Sequence, residues 1–166
     1  MGDKQEIKFQ EQSLRISDKR YLICEGKLGK VSKQVGGEEV VLGYNKVLLR
    51  SKSSYKVFRS LLLSMLNGVN KGYFKELEFV GLGFRFLNLK KGLYLKIGFS
   101  HYIKLRLPKS IKIIGFKTKL IIFGINLEEV NQVAREIKAL KKPDRYKGKG
   151  IRYESEEVIL KVGKQS

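Results

Sequence analysis

The chain has 166 residues, with 35 Lys+Arg against 16 Asp+Glu, a formal net charge of +19 and 42% hydrophobic residues. That apolar share supports a real core and excludes a disordered basic tail. An excess of positive charge this large repels itself in a compact fold unless a counter-charge is present, and a pI near 10.0 is the footprint expected of a nucleic-acid binder. The alternatives are a solubilising surface or a patch for anionic membranes.

The longest apolar runs, such as Leu61-Leu62-Leu63 and Leu120-Ile121-Ile122-Phe123, are too short to span a bilayer. Cys24 is the only cysteine, which excludes an intramolecular disulfide and a cysteine-built zinc site and fits a small core hydrophobe in a reducing compartment. The stretch from Met1 to Gln12, with Asp3, Glu6 and Glu11, lacks the apolar centre of a secretory signal and the Arg- and Ser-rich, acid-poor character of a transit peptide. The expectation is a protein that works where it is made, or one already processed.

In chain order, apolar alternation predicts strands at about Tyr21–Cys24, Lys30–Val35 and Lys46–Arg50. A helix is predicted over about Ser54–Asn67, with Val57, Phe58, Leu61, Leu62 and Met65 on one face. Ser53 or Ser54 is the expected N-cap and Gly68 the stop. Further strands are predicted at about Phe74–Phe86, Leu93–Phe99, Ile103–Leu107, Ile111–Ile114 and Leu120–Phe123. A second helix follows over about Leu127–Leu140, with Asn126 at its cap and Val130, Val133, Ala134, Ile137 and Leu140 inward.

Sliding the chain by seventy-three residues lays Tyr21-Leu22 on Tyr94-Leu95, Lys46–Leu49 on Lys119–Ile122, and the helix near Val57 on that near Val130. This internal match predicts an α+β fold of two duplicated small domains, each an antiparallel sheet packed against a helix. The expected boundaries are 1–70, 71–141 and a basic C-terminal extension, 142–166, the first falling among the turn formers Asn67–Gly72.

The segment from Lys141 to Tyr153 places Lys141, Lys142, Arg145, Lys147, Lys149 and Arg152 beside Tyr146 and Tyr153, with Gly148, Gly150 and Pro143 between them and Asp144 as the only acid. Buried without partners, such charges cost far too much. A flexible solvated tail is the plain alternative, but Tyr146, Ile151 and Tyr153 interleave with the charges at spacings a tail does not require. Glycines let the backbone approach a sugar-phosphate chain, tyrosines offer faces for stacking or packing, and the cations neutralise phosphates. Folded RNA recognised by shape is the expected partner.

Catalytic chemistry finds little support. His101 is the only histidine, and Ser100 is its sequence neighbour, an order that does not build a triad. Glu156-Glu157 reads as a solvated pair. Gly81-Leu82-Gly83-Phe84-Arg85 lacks the third glycine and the following helix of a dinucleotide fingerprint, and fits a bend between strands. Gly148-Lys149-Gly150 lacks the Ser or Thr of a phosphate loop. No catalytic residue, metal ligand or cofactor is expected.

Four blocks stand in order from Gly72 onward: Gly72 through Glu76-Leu77 with Val80–Arg85; Leu95 with Gly98-Phe99-Ser100-His101; Thr118–Gly124 with Val130, Gln132, Val133, Ala134 and Ile137; and Pro143 with Tyr146–Tyr153. Together they resemble the bacterial-type large-subunit ribosomal protein L-six family. That resemblance implies two duplicated α+β domains and a non-enzymatic protein bound to large-subunit rRNA mainly through its C-terminal domain, near the sarcin-ricin loop where translation factors dock, beside neighbouring large-subunit proteins. Carried over by position, the rRNA contacts are Lys141, Lys142, Arg145, Lys147, Lys149 and Arg152, with Gly148 and Gly150 allowing close approach, Tyr146 and Tyr153 holding the loop, and Arg85, Ser100 and His101 on the same face. The chain departs from the family at Tyr102 and Arg145, where it usually has proline, and in its N-terminal half, which matches loosely. A divergent start, Lys/Ile-rich composition and no targeting segment resemble an organelle-encoded mitochondrial member, with bacterial cytoplasm or plastid as the other settings. A free RNA-binding or ribosome-assembly protein is the alternative function.

Overall fold

The computed structural model describes residues 5–8, 13–17, 21–34, 40–43, 46–49, 55–89, 92–116 and 118–161. The chain divides into two compact units, Met1–Gly72 and Tyr73–Ser166.

The first unit contains β1 (Gln5–Lys8), β2 (Ser13–Ser17), β3 (Tyr21–Gly26), β4 (Gly29–Gln34), β5 (Val40–Gly43), β6 (Lys46–Leu49) and α1 (Tyr55–Asn70). Its two antiparallel sheets run in the orders β1-β6-β5 and β2-β3-β4. Helix α1 packs over β3 and β4. It buries Phe58, Leu62, Met65, Leu66 and Val69, and β3 contributes Leu22 and Cys24. The apolar stripe is rotated from the expected one: Val57 is exposed and Leu61 only half-buried. One residue advances a helix by about 100°, so the face that begins at Phe58 and recurs at Leu62, Met65, Leu66 and Val69 leaves Val57 outside. The helix also runs past Gly68 to Asn70. Gly72, at φ 74, takes the left-handed conformation that closes it, and its N–H reaches the Gly68 carbonyl at 3.0 Å. Ser53, Ser54, Val35, Arg50 and the tail after Lys161 lie outside the described residues.

The second unit repeats the order with β7 (Tyr73–Val80), β8 (Arg85–Leu89), β9 (Gly92–Lys96), β10 (Ile103–Leu105), β11 (Ile111–Phe116), β12 (Lys119–Gly124) and α2 (Leu127–Leu140), then adds β13 (Gly150–Tyr153). Its sheets run β11-β12-β7-β13 and β10-β9-β8, antiparallel throughout. Removing β13 leaves each sheet strand for strand the counterpart of one in the first unit. The duplication reaches the register: Val40 opposes Leu49, and Ile113 opposes Ile122, seventy-three residues further on in both strands. The α+β duplication expected from sequence is therefore the fold.

Helix α2 has the expected limits. The Asn126 side chain accepts from the Glu128 N–H at 3.1 Å, Glu128 and Glu129 meet the positive end of the dipole, and Lys138 sits in the last turn. Val130, Val133, Ala134 and Ile137 are buried against Leu77, Phe79, Leu93, Leu95, Leu120, Ile122 and Ile151, and each fully buried Val, Leu, Ile or Phe side chain contributes about 1.5–3 kcal/mol relative to exposure. The single long strand expected over Phe74–Phe86 is two strands. Gly83, at φ 75, supplies the left-handed residue of the turn between them, and the Phe84 N–H donates to the Gly81 carbonyl at 3.3 Å. No helix among the described residues is long and apolar enough to cross a membrane.

Burial pushes the Cys24 thiol up from 9.0 to about 11, which leaves about a hundredfold less thiolate at neutral pH. Alkylation of Cys24 is expected to be at least about tenfold slower in the native protein than in denaturant. Equal rates, followed by mass spectrometry, would show that Cys24 is not in the core.

Candidate nucleic-acid interface

Helix α2 ends at Leu140, and Lys141 leaves the helical region at φ −150, ψ 89. From there to β13 the chain makes a closed loop. Its base is fixed where the Ile151 N–H donates to the Lys141 carbonyl at 2.9 Å. Further in, the Asp144 N–H donates to the Lys149 carbonyl at 2.9 Å, and the Asp144 carbonyl accepts from the Gly148 N–H at 2.9 Å. The Asp144 carboxylate accepts from the Tyr146 N–H at 3.2 Å and from the Lys147 N–H at 3.3 Å. Gly148 has φ 67, the left-handed region that glycine enters at no steric cost.

Beyond the loop, β13 pairs with β7, placing Arg152 opposite Glu78 and Tyr153 opposite Leu77. Arg152 Nε and Nη2 both donate to Glu78 Oε2, at 2.9 and 2.8 Å, and about a third of each side chain remains exposed. Tyr153 carries the Lys138 ammonium 4.6 Å from its ring centroid, with Lys75 at 5.9 Å. Glu156 Oε2 ties these together. It accepts from Lys138 Nζ at 2.6 Å and from the Tyr153 N–H at 3.2 Å. Glu156 is therefore engaged, whereas Glu157 is exposed, so the expected solvated pair is split by the Lys138 contact. Further along, the Lys161 N–H donates to the Arg145 carbonyl at 2.8 Å. A groove of about 860 Å³ lies here, lined by residues that include Arg135, Lys142, Pro143, Arg145, Ile159 and Lys161.

The predicted residues fall into three groups. Lys141, Lys142, Arg145, Tyr146, Lys147 and Lys149 are exposed. Arg152, Gly150 and Tyr153 face inward: Arg152 to Glu78, Tyr153 under its cations, and Gly150 so tightly that a Cβ would lie 2.6 Å from Pro143 Cα and 2.7 Å from the Lys142 oxygen. Gly150 thus serves internal closure as the loop returns to the sheet. The third group is joined through aromatic rings. Phe99 stacks on His101 with centroids 6.2 Å apart, and Lys141 Nζ lies 5.3 Å from the Phe99 centroid. A Cβ on Gly98 would stand 3.3 Å from Phe84 Cε1, so the turn leading to Arg85 packs beside the loop carrying the exposed Ser100 and His101. Tyr102, also exposed, has Lys96 Nζ 5.8 Å from its ring.

The structural parts played by Asp144, Glu78, Glu156 and Phe99 are not among the expectations from sequence. Asp144 had a usable signal, since Asp followed by polar residues and glycine is a turn former. Glu78 and Glu156 had none, because their partners Arg152 and Lys138 are recognisable only once the strands are paired.

A duplicated α+β scaffold with an ordered, strongly cationic loop on its second unit is the class these features define. The profile described as Ribosomal protein L6 matches residues 87–154, from β8 to the end of β13. The chain is 38% identical over 164 residues to the large ribosomal subunit protein uL6 of Phytoplasma mali (strain AT), covering 93% of this chain and 91% of that one. It is 44% identical over 124 residues to the uL6m of Reclinomonas americana, covering 74% and 67%, and 42% identical over 134 residues to the uL6 of Syntrophus aciditrophicus (strain SB), covering 76% and 75%. The chain belongs to the ribosomal protein L6 family, and is a structural constituent of the ribosome, not an enzyme.

The hydrogen bond from Lys138 holds the Glu156 carboxyl below its ordinary value of 4.5. A depressed folded-state value contributes stability that is present above that ordinary value and is lost as pH falls through the lower one. Glu156→Gln is expected to be less stable near neutrality by under about 1 kcal/mol, because the pair is partly solvated, with the difference shrinking under acid. Thermal melts across an acid titration check this, and a constant gap between the two proteins would contradict it.

Proposed function

We propose that this chain is a large-subunit ribosomal protein whose second unit binds large-subunit rRNA through the loop from Lys141 to Lys149, beside neighbouring large-subunit proteins and close to the sarcin-ricin region where translation factors dock. The observation that carries the reading is the exposure of Lys141, Lys142, Arg145, Lys147 and Lys149 on a backbone pinned by its own hydrogen bonds. Among the described residues none of the five makes an ion pair. Five unneutralised cations on one rigid loop repel each other, and a phosphate backbone relieves that repulsion while releasing its own counterions. A loop of fixed shape suits an A-form groove, whose phosphates and 2′-hydroxyls are read by shape rather than by base. His101 and Ser100 extend the same face through Phe99 and Lys141, and Arg85 adjoins them through Phe84. Arg152, Gly150 and Tyr153 serve that face from behind, by fixing the strand from which the loop springs.

The names of the relatives support large-subunit membership. Similarity to the uL6m of Reclinomonas americana supports a mitochondrial setting, with the matrix ribosome as the site of action. The bacterial relatives support the bacterial alternative.

Replacing Lys147 and Lys149 together with alanine is expected to weaken binding to large-subunit rRNA. The slope of log affinity against log salt should fall by about 0.7–0.9 for each phosphate left without its cation, with the circular dichroism spectrum unchanged. Unaltered affinity and slope would sink the assignment of this loop. The chain should also stay with large subunits through a high-salt wash; release into the supernatant would favour a transient assembly role.

A further inference from the structure

We propose that Asp144, the sole acid between Lys141 and Tyr153, is the positioning residue of this loop, so that removing its negative charge weakens binding to RNA. The proposal rests on the loop being the RNA interface. Charge alone points the other way. A carboxylate among five exposed cations repels phosphate, and its loss would raise the formal charge of +19 by one, which on electrostatics alone tightens binding.

The geometry decides against the charge argument. Asp144 makes no ion pair with the loop cations among the described residues; its two carboxylate oxygens are each engaged by a backbone amide, one by Tyr146 and the other by Lys147. Its own N–H and carbonyl hold Lys149 and Gly148. Four hydrogen bonds on one residue therefore fix the backbone from 144 to 149, and with it the directions in which Arg145, Lys147 and Lys149 leave the loop. Removing the carboxylate takes away two of the four, those to the Tyr146 and Lys147 amides; the like charges then push the segment open, and the ordering of backbone and side chains is deferred to the moment of binding, where it subtracts from affinity.

The two oxygens also rank the variants. Asparagine keeps one acceptor and replaces the other with a donor, whereas alanine keeps neither; the two have the same charge. If charge governs, Asp144→Asn and Asp144→Ala bind alike, and both bind more tightly than the parent. If positioning governs, affinity falls in the order Asp, Asn, Ala.

The test is binding of the full chain to deproteinised large-subunit rRNA across a salt series, with amide hydrogen exchange of the free protein measured beside it. The expected result is affinity about tenfold lower for Asp144→Ala, with Asp144→Asn between. The salt slope should stay at the parent's value, because the phosphates engaged are the same. The Tyr146 and Lys147 amides should be protected in the parent and exposed to exchange in Asp144→Ala. Binding by both variants as tight as the parent's or tighter, while the Lys147, Lys149 double-alanine variant is weakened, overturns the positioning role and leaves the interface standing. Unchanged protection of the two amides in Asp144→Ala overturns it as well. A double-alanine variant that binds like the parent overturns the interface, and the positioning role with it.

Discussion

Ile151 has no exposed surface, and the behaviour of the basic loop follows from that burial. A chain segment carrying Lys141, Lys142, Arg145, Lys147 and Lys149 gains nothing from folding on itself, because each charge prefers water and repels its neighbours. The apolar side chain at its far end changes the balance. Burying Ile151 against β7 and α2 contributes about 1.5–3 kcal/mol, and its N–H closes the loop on the Lys141 carbonyl. Arg152 and Tyr153 then lock the strand through Glu78, Lys138 and Glu156. What remains between the two fixed ends is short enough for one aspartate to shape.

The duplication shows where this feature was added. In both units six strands form two three-stranded antiparallel arrangements followed by a helix, and the β5–β6 register recurs at β11–β12. Strand β13 is the addition: it lies on the free edge of β7, and has no counterpart among the described residues of the first unit. Pairing that edge satisfies backbone groups otherwise open to a further strand. It also places the loop at the end of α2, where the dipole favours cations. Scaffold and charged surface are thus distinct layers: a repeated apolar framework and a cationic device hung on one edge of its second copy.

Much of this was legible in the sequence where the pattern was long and periodic. Helix α2 was found to the residue, because Asn126, the paired glutamates and a clean stripe from Val130 to Ile137 all agree. Helix α1 is legible but rotated, since Val57 is apolar without belonging to the stripe, and Gly68 invites an end at Asn67, three residues early. Short strands were harder. Ser13–Ser17 and Gly150–Tyr153 have too few residues for alternation to stand out, and the latter lies in a run whose charge suggested a loop. The cations were recognised as a group, but their division was not. That Arg152 turns to Glu78 while Lys147 and Lys149 face outward depends on pairing residues seventy-four positions apart. Asp144 was seen as an interruption because sequence displays its charge and hides its hydrogen bonds.

The central claim is that the loop is folded before it meets its partner, on an anchor that binding leaves intact. A density map of a large ribosomal subunit containing this chain measures that most directly. The expected result is density for Lys147 and Lys149 against rRNA phosphates, with Ile151 still buried, Arg152 still on Glu78, and the Asp144 carboxylate still turned to the Tyr146 and Lys147 amides. A loop facing solvent, or one bound to RNA with Ile151 withdrawn from the core, would contradict it.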